Sequence, residues 1–326
     1  MALLSVEGLA IGLHRGGRVT TLVEEATFSL EAGEVMGLVG ESGSGKTIVC
    51  RSLTRLLPSS ATQVAGGRAI FEGRDLLAMT EAELRLVRGR RIAMVFQNPL
   101  SHLNPVMTIG QQIAEPLRIV EGLSAREARR SAVELLAQVG IPDPKARFDN
   151  YPHEFSGGMR QRAMIAAALA CRPTLLIADE PTTALDVTVQ AQILRLLLDL
   201  RDRTGLAIVL ITHDLGVVQQ TCDKVAVMYS GRVVESGAVR PILSDPRHPY
   251  TARLLASQPA RGVPGAPLPS IPGQPPGLGE AMTGCRFRPR CLEAHDVCAT
   301  ARPPLTQVRP YWLSACHRAD LPRVIA

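Results

Sequence analysis

The chain has 326 residues, which allows one large domain with an appendage or two domains. Hydrophobic residues make up 46%, aromatic residues only 3%, and the net charge of +6 is spread along the chain, so we expect no nucleic-acid partner. No apolar run approaches the roughly 20 residues of a membrane-spanning helix, and the first residues do not resemble a secretory signal. We therefore expect a protein of the cytosol or of the cytosolic face of a membrane.

Strand-like patterns dominate the first hundred residues. Residues 1–30 alternate in strand fashion, and residues 68–71 and 92–96 are further candidate strands. The short apolar run at residues 34–39 predicts a buried parallel strand.

A glycine-rich loop follows that run and precedes a helix-like segment. It has the pattern GxxxxGK[ST] and consists of Gly40, Glu41, Ser42, Gly43, Ser44, Gly45, Lys46 and Thr47. Glycines let successive backbone N–H groups surround an anion, and the helix N-terminus adds positive potential. In this context the pattern predicts a phosphate cradle rather than a chance Gly/Ser turn. Lys46 is expected to reach the β- and γ-phosphates, and the Thr47 hydroxyl to bind Mg²⁺.

Helical patterns follow in residues 97–160, including a capping box at Ser124 and Glu127. Strand and helix signals then alternate from residue 175 to 234, as in a parallel α/β sheet. The first of these strands ends in Asp179 and Glu180. An acid at that position of a P-loop protein holds Mg²⁺, which suits Asp179. Glu180 can polarise the attacking water as general base, and the alternative is that both acids merely end the strand.

Residues 155–162, Phe-Ser-Gly-Gly-Met-Arg-Gln-Arg, resemble the signature motif of ABC-type ATPases. Ser156 is a good helix cap, and Gly157 and Gly158 allow close backbone approach, so a helix end is offered to an anion. In that family the signature binds the γ-phosphate of ATP held by the opposing subunit. The resemblance implies an α/β fold, a P-loop ABC-type ATPase domain with a mixed sheet and a helical subdomain.

Three further positions match that family in order. Gln97 resembles the Q-loop glutamine that contacts Mg²⁺ and the attacking water. Residues 184–186, which end in Asp186, resemble the D-loop that crosses the dimer interface. His213 resembles the switch histidine that contacts the γ-phosphate. Thr183 stands where serine is commoner, which we interpret as a mild change.

The sequence departs from the family upstream of the P-loop, where an aromatic residue usually stacks on adenine. Leu13, His14 and Arg15 occupy that stretch. Either His14 or Arg15 could stack on the base instead.

Composition changes after residue 258, where a Pro/Gly-rich linker leads to a tail with Cys285, Cys291, Cys298 and Cys316. Disulfides are a poor explanation for clustered cysteines in a cytosolic chain. Four thiolates can hold an iron–sulfur cluster or a tetrahedral Zn²⁺, although the short CxxC pairs typical of zinc ribbons are absent. A tail without metal is the remaining alternative.

The predicted domains are therefore an ABC ATPase domain at residues 1–257, with its helical subdomain at about residues 97–160, and residues 258–326. The latter comprise the linker and a small irregular Cys-rich C-terminal domain.

The resemblance can be narrowed to the ATP-binding subunits of oligopeptide and dipeptide permeases, with nickel importers as close relatives. It rests on residues 95–110, on the signature and on residues 248–251. It implies an ATP hydrolase that energises import of di- or oligopeptides, or of nickel or another peptide-like solute. The cofactors would be ATP and Mg²⁺, and the tail would bind a [4Fe–4S] cluster, as in some members, with Zn²⁺ as the alternative.

The same resemblance implies the protein's partners and place in the cell. The chain would pair with a paralogous ATPase subunit, sandwich two ATP molecules with it, and serve two transmembrane permease subunits and an extracytoplasmic solute-binding protein. It would lie peripherally on the cytoplasmic face of the inner membrane. Two other classes are a soluble ABC ATPase acting on nucleic acid and a redox sensor centred on the tail. The absence of tandem units or coiled-coil insertions argues against the first, and an intact hydrolytic set argues against the second.

Overall fold

The structure is a computed structural model that describes residues 2–183, 185–258, 269–277 and 279–320. Ala184 of the predicted D-loop and residues 259–268 of the predicted linker lie outside the described residues. The contacts of the chain divide it into two compact units, Met1–Ala78 with Ile211–Ala326, and Met79–Leu210. The predicted domain division between residues 257 and 258 falls inside the first unit and stays a prediction. In the described ranges, no helix is both long and apolar enough to cross a membrane.

The first unit combines β-sheets with short helices. Its strands are β1 (Leu4–Arg15), β2 (Arg18–Leu30), β3 (Val35–Val39), β4 (Thr62–Phe71), β5 (Arg74–Asp75), β9 (Lys224–Tyr229), β10 (Arg232–Ala238), β11 (Thr306–Arg309) and β12 (Trp312–Ser314). Its helices are α1 (Lys46–Leu53), α9 (Leu215–Thr221), α10 (Val239–Ser244), α11 (Pro249–Ala256) and α12 (Val297–Thr300), with a 3₁₀ turn at Arg288–Arg290.

Strand β3 lies in a sheet with the order β11-β12-β10-β9-β3, and the strands β2-β1-β4-β5 form an antiparallel sheet. All five residues of β3 are buried, and β3 pairs in parallel with β9, with Val39 opposite Val227. The prediction of a buried parallel strand before the glycine-rich loop is therefore confirmed.

The C-terminal tail contributes to the same sheet. Strand β12 pairs antiparallel with β10, with Ser314 opposite Glu235, and Trp312 and Ser314 are both buried. The expectation of an irregular tail is wrong for this stretch. Strands of three and four residues are too short to produce a recognisable alternation in the sequence, so only their pairing with β10 reveals them.

The second unit is rich in helices. Its strands are β6 (Ile92–Val95), β7 (Leu175–Asp179) and β8 (Ala207–Thr212), in the order β8-β7-β6, and the last two residues of β8 belong to the first unit. Its helices are α2 (Glu81–Val87), α3 (Pro99–His102), α4 (Ile109–Ile119), α5 (Ala125–Gln138), α6 (Pro144–Arg147), α7 (Gly157–Ala168) and α8 (Val187–Thr204), with a 3₁₀ turn at Pro152–Glu154.

Local capping signals set where the helices between β6 and β7 begin. The predicted capping box is confirmed at α5, where the Ser124 side chain accepts from the Glu127 N–H and the Glu127 carboxylate accepts from the Ser124 N–H. Thr108 and Gln111 form the same arrangement at α4. Helix α4 packs on α5 and on α7, so these helices form one layer that carries the N-terminus of α7.

Candidate functional site

The glycine-rich loop connects β3 to α1 and encloses the buried ammonium group of Lys46. Lys46 is 5% exposed. Its Nζ donates to the carbonyl oxygens of Gly40 (2.8 Å) and Glu41 (3.0 Å) and lies 3.4 Å from the Ser44 hydroxyl. The loop therefore holds an ammonium group inside its curve, and a positive charge in that position is what a bound phosphate requires.

Two glycines make this curve possible. Gly40 has φ 152°, and a Cβ there would lie 2.1 Å from the carbonyl oxygen of Met228. Gly45 has φ 100° at the start of α1, a conformation that L side chains rarely adopt. A larger residue at either position would force the loop to move.

In the second unit, the parallel pairing of β6 and β7 brings Gln97 and Glu180 together. Val95 lies opposite Ala178, so the residues two positions further on leave the sheet side by side. The Gln97 Nε2 donates to the Glu180 Oε2 at 2.9 Å. Glu180 has φ 46°, a left-handed conformation that costs a non-glycine residue about 1 kcal/mol or more and is typical of functional sites.

Thr183 also contacts this carboxylate, a role that the sequence analysis missed. Its Oγ1 donates to the same Oε2 of Glu180 at 2.8 Å, and its N–H donates to the Glu180 carbonyl at 3.2 Å. A hydroxyl three residues after an acid is the available sequence signal, because such residues often bond within a local turn. Gln97 and Thr183 together orient the Glu180 side chain.

Asp179 occupies the last position of β7 and is 2% exposed. Burial of a carboxylate is unfavourable unless hydrogen bonds or a cation compensate its charge. Its place at a strand end beside Glu180 is therefore suited to the predicted role in binding Mg²⁺.

The predicted signature forms the N-terminus of α7. The Ser156 Oγ accepts a hydrogen bond from the Met159 N–H at 3.3 Å, which caps the helix as expected. A Cβ on Gly158 would lie 2.7 Å from Cγ1 of Val189 in α8, whereas a Cβ on Gly157 would make an ordinary contact at 3.5 Å. A side chain at position 158 would therefore force Val189, or the packing of α7 against α8, to shift.

Asp186 and His213 lie next to helix starts. The Asp186 carboxylate caps α8 by accepting from the Val189 N–H at 2.9 Å. His213 is exposed in the loop after β8, and the following residue, Asp214, caps α9 through the Gly216 N–H at 2.7 Å. Both candidate residues therefore belong to short loops that the neighbouring caps hold in place.

The candidate adenine-stacking residues lie where β1 turns into β2. His14 and Arg15 are both exposed there. The His14 N–H donates to the Ala61 carbonyl at 2.8 Å, which fixes the backbone but leaves the ring to be positioned by other contacts.

Four tail cysteines line one cavity of the first unit: Cys285, Cys291, Cys298 and Cys316. Burial raises the pKa of the Cys285 thiol, and it raises that of Cys291 to about 11, with the neighbouring thiols adding to both shifts. The Sγ of Cys298 lies 3.4 Å from the Nδ1 of His295. Within the described ranges, no group of three or more histidine, cysteine, aspartate or glutamate residues could hold a metal ion.

Family comparisons match two parts of the chain. Residues 23–183 match the ABC transporter family, and residues 234–298 match a family described as the oligopeptide/dipeptide transporter C-terminal region. The chain is 50% identical over 319 residues to a probable peptide ABC transporter ATP-binding protein of Sinorhizobium fredii, covering 98% of this chain and 95% of the relative. It is 47% identical over 317 residues to the oligopeptide transport ATP-binding protein OppD of Escherichia coli, covering 97% and 93%.

Solved structures agree with the predicted fold class. The ATP-binding cassette MJ0796, in a dimeric post-hydrolysis state bound to ADP and Pi, matches with a TM-score of 0.64 and 26% identity over 73% of this chain and 99% of that one. The cbiO1 protein of Clostridium perfringens, part of an ABC transporter complex, matches with a TM-score of 0.64 and 26% identity over 80% and 96%. The chain therefore belongs to the ABC transporter family, among the ATP-binding proteins of its oligopeptide/dipeptide branch.

Proposed function

We propose that this chain is the ATP-hydrolysing subunit of a membrane ABC importer of di- or oligopeptides. The observation that carries the hydrolytic role is the Glu180 carboxylate, held by both Gln97 and Thr183 at the end of β7. Import of peptides is supported by the match of residues 234–298 and by the names of the full-length relatives. The same names favour an importer over a soluble ATPase acting on nucleic acid.

Each candidate residue has a defined part in the reaction. Glu180 accepts the proton of the water that attacks the γ-phosphorus, while Gln97 orients that water. The bond from the γ-phosphorus to the β–γ bridging oxygen breaks, and ADP leaves with the electron pair. Lys46 neutralises the charge that develops on the phosphate oxygens, as expected for phosphoryl transfer, and His213 contacts the γ-phosphate.

Mg²⁺ would neutralise further charge on the phosphates, and the residues proposed to bind it are Thr47, Asp179 and Gln97. Hydroxyl and carboxylate oxygens are the hard ligands that this ion prefers. The burial of Asp179 and its strand-end position support this assignment.

We propose a heterodimer with a paralogous ATPase, in which Ser156, Gly157 and Gly158 bind ATP held by the partner and Asp186 lies at the interface. The capped N-terminus of α7 supports the signature role, because helix N-termini bind anions. The dimeric state of MJ0796 supports the pairing of two cassettes. Two permease subunits and a solute-binding protein would complete the importer, with this chain on the cytoplasmic face of the inner membrane.

We propose that Cys285, Cys291, Cys298 and Cys316 hold a [4Fe–4S] cluster. A cluster takes one thiolate per iron, and the support for it here is that the four cysteines line one cavity. Anaerobically purified protein is expected to contain about four irons and four sulfides per chain, and Cys291→Ser should remove them. Stoichiometric zinc instead would contradict the cluster.

The function is tested with Glu180→Gln in the complete transporter, reconstituted in vesicles. We expect the variant to bind ATP but to lose about 100-fold or more in hydrolysis and to stop importing peptide, because the general base is gone. Glu134→Gln is the matched control, since Glu134 lies on the outer face of α5 with a side chain 66% exposed. Hydrolysis at the normal rate by Glu180→Gln would remove Glu180 from the base role. Import of nickel but not of peptide would overturn the substrate.

A further inference from the structure

The tail makes a partly buried ion pair with the glycine-rich loop. Arg290, whose side chain is 4% exposed, donates from both terminal nitrogens to Glu41, with distances of 2.7 Å to Oε2 and 2.9 Å to Oε1. Glu41 is the second residue of the loop, and its backbone carbonyl accepts from the Lys46 Nζ. A bidentate guanidinium–carboxylate pair balances the charge of the carboxylate and restricts its orientation. This pair joins residues that are 249 positions apart.

The surroundings of Arg290 hold it rigidly in place. Its Nε donates to the Pro272 carbonyl at 2.9 Å, one terminal nitrogen donates to the Ile271 carbonyl at 3.2 Å, and the guanidinium lies over the Tyr229 ring at 5.8 Å. The hydrogen bonds to Glu41 raise the pKa of Arg290 above its usual range. Arg290 is therefore a fixed cation that contacts the loop, and not a mobile surface side chain.

The loop is also held from a second direction and faces the proline-rich segment. The Glu41 N–H donates to the Tyr250 hydroxyl at 2.9 Å. Residues 275–277 line one cavity together with residues 41–44, and the Ser230 hydroxyl donates to the Pro276 carbonyl at 3.1 Å. Residues 275–277 of the proline-rich segment thus lie across a cavity from the glycine-rich loop.

The charge of Glu41 poses a physical problem for a phosphate cradle. A carboxylate within a few residues of bound phosphates repels them, and at a partly buried site this repulsion is only weakly screened. A guanidinium that pairs with both carboxylate oxygens cancels the negative charge at short range. It also fixes the side chain in the direction of the tail.

We propose that Arg290 is a positioning residue for nucleotide binding, which neutralises Glu41 and so makes the affinity of the loop for ATP depend on the tail. This inference rests on the proposed role of residues 40–47 as the phosphate cradle. Arg290 itself contacts no nucleotide in this scheme and acts only through Glu41.

The test measures MgATP dissociation constants for the full chain in four forms: the unaltered protein, Arg290→Gln, Glu41→Gln and the double variant. Removal of Arg290 is expected to weaken MgATP binding about tenfold, because Glu41 is then an uncompensated anion beside the phosphates. In the Glu41→Gln background, the same change is expected to weaken binding less than about twofold, since no charge remains to be neutralised. An equal loss in both backgrounds would overturn the proposal, because a purely structural role does not depend on the charge of Glu41.

Two further variants guard against misfolding. Arg290→Lys keeps the positive charge but cannot make the bidentate contact. Its MgATP affinity should therefore lie between those of the unaltered protein and Arg290→Gln. Arg302→Gln removes another arginine of the tail, which pairs with Glu24 at 2.6 Å, and should leave MgATP affinity unchanged. A loss of affinity with Arg302→Gln as large as that with Arg290→Gln would mean that any damage to the tail suffices.

Lys46→Ala separates this inference from the proposed function. If Lys46→Ala binds MgATP normally, the cradle itself is wrong. If Lys46→Ala loses MgATP while Arg290→Gln binds as tightly as the unaltered protein, the cradle stands and only the role of Arg290 is overturned.

Discussion

At the scale of single residues, the carboxylate of Glu180, the proposed general base, is held by two neighbouring side chains. One oxygen of Glu180 accepts hydrogen bonds from both Gln97 and Thr183. Donors on a carboxylate oxygen restrict the rotation of the side chain, and a general base must be within hydrogen-bond reach of its proton to act. Thr183 thus keeps the hydroxyl that the commoner serine also carries, and this hydroxyl contacts the carboxylate.

Thr183→Ser and Thr183→Val separate the hydroxyl from the rest of the side chain. We expect Thr183→Ser to hydrolyse ATP at nearly the normal rate. Thr183→Val has a similar shape but no donor, so kcat should fall about tenfold or more, as for loss of one hydrogen bond to a charged group. Steady-state ATPase assays give the answer, and equal rates for the serine and valine variants would show that the hydroxyl has no role.

At the scale of secondary-structure elements, a buried glutamate fastens the tail hairpin to the sheet. Glu235 of β10 is 0% exposed and accepts from the Trp312 Nε1 of β12 at 2.9 Å. It also accepts from the backbone N–H groups of Arg247 (2.6 Å) and His248 (3.1 Å). One side chain therefore joins β10, β12 and the loop before α11.

This glutamate makes stability depend on pH. Burial raises the pKa of Glu235 to about 7 from an ordinary value of 4.5, although hydrogen bonds to it act in the opposite direction. Because the folded pKa is the higher one, its contribution to stability is fully present below pH 4.5 and is lost as pH rises through about 7. The shift corresponds to about 3 kcal/mol in total.

Urea unfolding at pH 5 and pH 8 measures this contribution. Glu235→Gln should be less stable than the unaltered protein at pH 5. Its amide NH₂ group cannot accept a hydrogen bond from the surrounding N–H donors. The difference between the two proteins should shrink by pH 8, since the glutamine does not titrate. A difference that is the same at both pH values would exclude titration of Glu235 in this range.

At the scale of the whole molecule, the tail shares a hydrophobic core with the glycine-rich loop's own unit. Phe287 is 2% exposed and lies 5.2 Å from the Tyr229 ring and 5.5 Å from the Tyr250 ring. Tyr250 in turn bonds the backbone of Glu41. The aromatic side chains around Phe287 therefore include one, Tyr250, that holds the backbone of the glycine-rich loop.

Phe287→Ala tests whether the tail and the ATPase core unfold together. Replacing a buried phenylalanine by alanine typically lowers the free energy of unfolding by about 3–5 kcal/mol. We therefore expect the midpoint temperature of the main thermal transition to fall. Leu292→Ala is the control, because Leu292 is in the same tail but is 73% exposed. If instead the midpoint temperature of a separate, minor transition falls while that of the main transition is unchanged, the tail is an independent domain, as the predicted division at residue 257 implies.

The features that the sequence predicts well are those encoded by neighbouring residues. Apolar residues 35–39 indicate a buried strand, and Ser124 with Glu127 indicates a helix start, because burial on both faces and capping are local patterns. The contact of Thr183 with Glu180 also has a local signal, a hydroxyl three residues after an acid. Strands β11 and β12 have no such signal, because three or four residues are too few to show a periodic pattern.

The sequence by itself determined the family, and it predicted the phosphate-binding motif and the roles of Asp179 and Glu180, because each rests on a few consecutive residues whose chemistry is specific. Tertiary structure alone decided that Arg290 contacts Glu41 and that Trp312 contacts Glu235, across 249 and 77 positions. Ion pairs and buried hydrogen bonds of this kind have no periodic or local signal. They exist only where the folded chain brings distant segments together and excludes water from their contact.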